Sequence, residues 1–226
     1  MLFQIDTAQL LATPVMEQAE PMNLWKMATY GGWIMIVLAV LLALAVYLFI
    51  ERLVVINAAK KEDKSFMDRI KDYIHEGKID SALNLCRKTD TPSARMVEKG
   101  ISRIGRPMND VQVAIENVGN LEVANLEKNL VILATISAGA PMLGFLGTVI
   151  GMVQTFYNMA GSASGVIELS ALSEGMYQAM VTTIGGLIVG ILVIFAYNYL
   201  VSRIDSVVRL LEGRTMEFMD LLNEPA

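Results

Sequence analysis

Basic residues are missing from the start of this chain, where no lysine or arginine precedes Lys26, and His75 and Cys86 are its only histidine and cysteine. A start without positive charge, with only Leu10-Leu11-Ala12 as a hydrophobic centre, is not a secretory signal peptide, so residues 1–24 read as a retained short segment. One cysteine excludes an intrachain disulfide and a cysteine-based zinc site, and Cys86 reads as a small buried or surface residue. His75 lies in the charged stretch DYIHEGK and reads as a solvated helix position rather than a ligand or base. A net charge of -5 excludes a generally basic nucleic-acid binder. No nucleotide loop, serine elbow or clustered metal-ligand pattern is present. No catalytic residue, metal site or cofactor is therefore expected, and the chain does not read as an enzyme.

Charge is also unevenly spread. Charged residues make up 18% of the chain against 54% hydrophobic, and they are absent from long stretches, as in a chain sorted between lipid and water. From Trp33 to Ile50 eighteen residues carry no charge, and as a helix they cover about 27 Å of a hydrocarbon core of about 30 Å. The span ends at Glu51-Arg52. From Asn129 to Ile167 charge is again absent, a stretch of about 58 Å as one helix, so it holds one crossing plus an excess. That excess is Gly161-Ser162-Ala163-Ser164-Gly165, a turn or short loop. After Glu168 and Glu174 the run from Met176 to Val201 supplies a third span.

Lysine and arginine near the span ends set the orientation. Arg52, Lys60, Lys61, Lys64 and Lys128 border residues 51–128, and Arg203, Arg209 and Arg214 follow the third span, so both segments are expected in the cytoplasm. The order expected is a periplasmic segment 1–29, a transmembrane helix 30–51 and a cytoplasmic helical region 52–128. A transmembrane helix 129–160, a periplasmic loop 161–174, a transmembrane helix 175–201 and a cytoplasmic C-terminal helix 202–226 follow. Val111, Ile115, Val118, Leu121 and Leu126 recur at helical spacing before the second span, and Val207, Leu211, Phe218 and Leu221 after the third. The fold expected is thus an all-α membrane protein whose second and third transmembrane helices extend into the cytoplasm as long helices. Between residues 58 and 106, Ser81–Leu85 and Ala94–Val97 suggest small helices, with breaks at Thr91-Pro92 and Gly105-Arg106-Pro107. Such a stretch buries little core alone and is expected to pack on the projecting helices.

Polar and small residues form stripes on the second and third spans. Ser137, Pro141, Gly144, Thr148 and Thr155 fall within about 40° of one line at roughly 100° per residue. On the third span Thr183, Gly190 and Tyr197 lie within about 40° of each other, with Gly186 and Asn198 at about 60° on the flanks. One reading is that these stripes seal helix against helix, as glycine and hydroxyl residues do in membranes. The same holds for Gly144-Phe145-Leu146-Gly147, which is too apolar in its surroundings to cradle phosphate. The other reading is a pore or a groove for a partner helix. None of the three spans contains Asp, Glu, Lys, Arg or His in its interior, so a carboxylate that carries protons would belong to another subunit.

Pro141-Met142-Leu143-Gly144-Phe145-Leu146-Gly147-Thr148-Val149-Ile150-Gly151-Met152 resembles the signature P-x-L-G-x-L-G-T-V-x-G-M of the MotA/TolQ/ExbB proton-channel family. Gln178–Leu187 with Tyr197-Asn198 resembles that family's third-helix motif, and Ile50-Glu51-Arg52-Leu53 the end of its first helix. The likeness runs from about residue 30 to 215, and three spans rather than four favour the ExbB or TolQ branch. The resemblance implies a multi-pass protein of the bacterial inner membrane, N-terminus periplasmic and C-terminus cytoplasmic. It implies a homopentameric ring around two transmembrane helices of an ExbD-like or TolR-like single-span subunit, whose aspartate carries the proton. Flow would drive a movement that energises outer-membrane transport through a TonB-like protein, a TolQ-like role in envelope maintenance being the alternative. A self-sufficient channel and a passive scaffold are the remaining readings. The family's pore-facing threonines map onto Thr148 and Thr183. Many members carry glutamate where this chain has Gln178, which lies about 140° from Thr183 on the helical wheel and is therefore expected at a subunit contact.

Overall fold

The computed structural model describes residues 31–61, 65–161 and 169–223, and among these every regular element is an α-helix. The helices are α1 (Gly32–Lys60), α2 (Phe66–His75), α3 (Ile79–Thr89), α4 (Pro92–Ile101), α5 (Met108–Glu127), α6 (Leu130–Ala160) and α7 (Leu169–Asn223). The expected segment 1–29 and the centre of the loop expected at 161–174 lie outside the described residues. Three stretches, α1, α5 with α6, and α7, are long and apolar enough to cross a membrane.

Helix α1 buries Ile34, Leu38, Ala45, Leu48, Arg52, Ile56 and Ala59 along one stripe. Trp33, Ile36, Val40, Tyr47, Ile50 and Val54 stay exposed on its other sides. A helix apolar all round, with only one stripe in contact, suits a lipid surround. Helices α6 and α7 make the most extensive contact in the molecule, and α1 packs mainly on α7.

Beyond the apolar stretches, α2 to α5 and the far half of α7 form a small bundle. Gly77, at φ +69°, turns the chain between α2 and α3, and Asp90, at φ +43°, caps α3. The Thr91 hydroxyl accepts from the Ala94 amide at 3.3 Å and Pro92 takes the first turn of α4, so the break expected at Thr91-Pro92 is a helix start. Phe66, Ile70, Ala82, Val97, Ile115, Val207 and Phe218 fill the core. Phe218 lies so close to Gly100 that a Cβ there would come 2.5 Å from the ring. Each such apolar side chain contributes about 1.5–3 kcal/mol when fully buried. Arg95 fastens α4 to α5 through paired bonds to Glu122 at 2.8 and 2.7 Å, with Asp90 at 2.6 Å. The small helices do pack on the projecting ones.

Three details differ from the sequence reading. The second long helix is not continuous: Lys128 and Asn129 interrupt it, Asn129 standing at φ +66°. The third is already helical from Leu169, where loop was expected up to residue 174. Leu121, expected on the buried stripe of α5, is 65% exposed, because α4 and α7 cover only the side bearing Val111, Ile115 and Leu126.

Candidate functional site

The contact between α6 and α7 is built from small residues. Thr155 meets Gly175, Gly151 meets Ala179, Gly147 meets Thr182, Gly144 meets Gly186, and Pro141 meets Gly190. Numbers rise on one helix as they fall on the other, so the pair is antiparallel. A Cβ on Gly144 would stand 2.9 Å from the Thr182 carbonyl oxygen and 3.1 Å from Gly186 Cα, and one on Gly186 would stand 2.6 Å from the Ala140 carbonyl oxygen. Backbone faces backbone here, which only glycine allows. Pro141 has no N–H to give the Ser137 carbonyl one turn back, and Gly190 lies against that oxygen, where a Cβ would be 3.0 Å away. Ser137, Pro141, Gly144, Thr155 and Gly190 all line this seam within one chain.

The two threonines singled out by sequence sit at its edge. Thr183 donates its hydroxyl hydrogen to the Gly144 carbonyl at 3.2 Å, across the helix pair, and Thr148 donates to the Phe145 carbonyl at 2.6 Å in its own helix. In an α-helix the Gly144 carbonyl points toward the amide of residue 148, so the Thr183 hydroxyl lies beside the turn that carries Thr148. Around each helix axis Thr148 and Thr183 stand about 60° from the seam midline, and the antiparallel arrangement turns both to the same side. Both are half-buried, and Phe145, Met152, Met180 and Leu187, exposed, share that side. Asn198, exposed, falls on the same flank of α7, whereas Tyr197 turns inward against the core.

Helix α1 occupies the opposite side. Gly185 faces Met35 and Leu38 of α1, and the Gln178 amide lies where a Cβ on Gly32 would be 3.0 Å from its Nε2. Within the chain, then, the neighbour of Gln178 is the start of α1. Sequence reasoning passed over Thr182, which is buried and donates to the Ala179 carbonyl at 2.7 Å, with the Gly144 carbonyl at 3.4 Å. The signal for it was the spacing of Gly175, Ala179, Thr182, Gly186 and Gly190, steps of four and three that keep small residues on one seam. Among the described residues no three His, Cys, Asp or Glu side chains gather as a metal site.

Three long apolar helical stretches, two of them joined along a seam of small residues, define a class: a multi-pass helical membrane protein. The profile of the MotA/TolQ/ExbB proton channel family matches residues 88–213, more than half of the chain, and the protein belongs to that family. It is similar to the putative biopolymer transport protein ExbB homolog of Methanothermobacter thermautotrophicus, 31% identical over 184 residues, or 80% of this chain and 63% of that protein. It is also similar to the Tol-Pal system protein TolQ of Haemophilus influenzae, 27% identical over 79% of this chain and 82% of that protein. A third relative is a putative ExbB-like biopolymer transport protein of Synechocystis, 24% identical over 74% of this chain and 80% of that protein.

Proposed function

We propose that this chain is the ring-forming subunit of an ExbB-ExbD or TolQ-TolR type motor in the bacterial inner membrane, and that its α6–α7 pairs surround the transmembrane helices of a single-span partner. The observation that carries this reading is the shared flank of Thr148 and Thr183, turned away from α1 and left open by the described residues. Without Asp, Glu, Lys, Arg or His inside any apolar span, that flank can hydrogen-bond a passing proton carrier but cannot be one. The carrier is then a carboxyl group on the partner helix, and five copies of the chain would place its open flanks around two such helices, as the family resemblance implies. The N-terminus faces the periplasm and the C-terminus the cytoplasm, following the basic residues at the span ends.

Coupling through a TonB-like transducer to outer-membrane transport is the first assignment of the output. A Tol-Pal role is the second, favoured by the likeness to TolQ over most of both chains. Proton flux into liposomes tests the core of the proposal. The chain with its single-span partner should conduct protons, and the chain alone should not. Equal flux from the chain alone would show a self-sufficient channel instead.

A further inference from the structure

Where α5 gives way to α6, the helix stops and restarts. Lys128 is extended at φ -50° and ψ 137°, and Asn129 enters α6 in the left-handed region at φ +66°. Such an interruption leaves the last carbonyls of α5 without the amides that a continuous helix would supply. The group that reaches them comes from another helix. Arg52 of α1, 5% exposed, donates from Nη1 to the Asn125 carbonyl at 3.1 Å and from Nη2 to Glu51 at 2.5 Å. The Asn129 side chain lies close enough to the Glu51 carboxylate to interact with it electrostatically. Asn129 makes no side-chain cap on its own helix, and its amide is on the side of α1.

We propose that Lys128-Asn129 is a joint between the extramembrane bundle and α6, and that Glu51 and Arg52 form the clamp that sets its angle. The geometry gives the joint a definite mechanical place. Helix α7 runs unbroken from Leu169 to Asn223 past both α6 and the bundle. The helix pair α5–α6 can bend at the interruption, whereas α7 beside it has no such break. A tilt of α6 relative to the bundle is therefore taken up at the joint, and α1 reaches both sides of it, with Arg52 bonded to Asn125 before the break and Glu51 beside Asn129 after it. The Arg52 Nε is buried without a hydrogen-bond partner among the described residues, so the clamp holds its charge with donor capacity to spare.

Distances between spin labels in the full chain, reconstituted in nanodiscs, test this. In a Cys86→Ala background, one pair spans the joint (Glu116→Cys with Met142→Cys) and one lies within α6 (Met142→Cys with Val153→Cys). With the clamp intact both pairs should give one narrow distance. Arg52→Gln should broaden or shift the spanning pair and leave the α6 pair unchanged, with Arg52→Lys between the two. If Arg52→Gln fails to insert, Asn129→Gly decides, because glycine keeps the positive φ and removes only the side chain. An unchanged spanning distance in the variants that insert would overturn the proposal, and so would equal broadening of both pairs.

Discussion

Thr183 gives its hydroxyl hydrogen to the Gly144 carbonyl at 3.2 Å, yet its oxygen keeps lone pairs free on the open flank. A protonated carboxyl on a partner helix can donate to that oxygen, and an ionised one can take the hydroxyl hydrogen from Gly144, whose carbonyl can keep a bond within its own helix. Thr148 can act in the same way, releasing the Phe145 carbonyl. Threonine thus serves both states of the carrier without ionising. Valine keeps the shape and removes both functions, leaving the partner's polar group unmatched at a cost of roughly 1–3 kcal/mol, about 5- to 160-fold in rate. Thr148→Val and Thr183→Val are expected to leave insertion and assembly nearly intact and to cut proton flux by that order. Thr155→Val, whose hydroxyl bonds the Gly151 carbonyl in the seam, and Gln178→Ala, beside α1, should each do less. Normal flux in both assembled threonine variants would end this account, and loss of assembly instead would assign the hydroxyls to packing.

At the scale of elements, the α6–α7 pair depends on backbone contact that no side chain can relax. A methyl group on Gly144 or Gly186 meets carbonyl and Cα atoms of the facing helix, and overpacking of this kind costs about 1–3 kcal/mol. At Gly139, in the same helix, a Cβ would have no neighbour within 4 Å. Gly144→Ala and Gly186→Ala should therefore lower the thermal midpoint in detergent, whereas Gly139→Ala should hold or raise it, as alanine is the better helix former. Equal effects at all three positions would show that the glycines serve the chain's helix propensity rather than its seam. The hydroxyl flank stands on this contact, since Thr183 reaches Gly144 only while the two backbones touch.

For the whole molecule the question is which side each end faces. A cysteine at Ser164, which lies outside the described residues, should react with an impermeant maleimide from the outside of intact cells. A cysteine at Ser102, exposed at the end of α4, should react only after lysis. The native thiol is the wrong reporter for this measurement. Cys86 is 1% exposed, and burial pushes its pKa up to about 12, so at neutral pH it is a hidden thiol rather than a thiolate. It should stay unlabelled in both cases until the bundle unfolds. The reverse pattern at Ser164 and Ser102 would invert the topology and move the bundle to the other side of the membrane.

The apolar spans were legible in the residues alone, because a charge-free run longer than the hydrocarbon core is a one-dimensional property that no tertiary contact alters. The family was legible for a similar reason: glycine, proline and threonine at fixed spacing around Gly144 and Gly186 are what a close helix pair requires. Tertiary structure decided the rest. A helical wheel gathers Ser137, Pro141, Gly144, Thr148 and Thr155 into one stripe, but it has no reference for where the neighbouring helices stand. Only the packed chain separates the seam residues from Thr148 on its open edge, and places α1 beside Gln178 on the far side. The break at Lys128-Asn129 was hidden because Val111 to Leu126 keep helical spacing up to it and neither proline nor glycine marks it. Arg52, more than seventy residues earlier in the chain, reaches the last turn before it, and a contact of that kind exists only once the helices have packed.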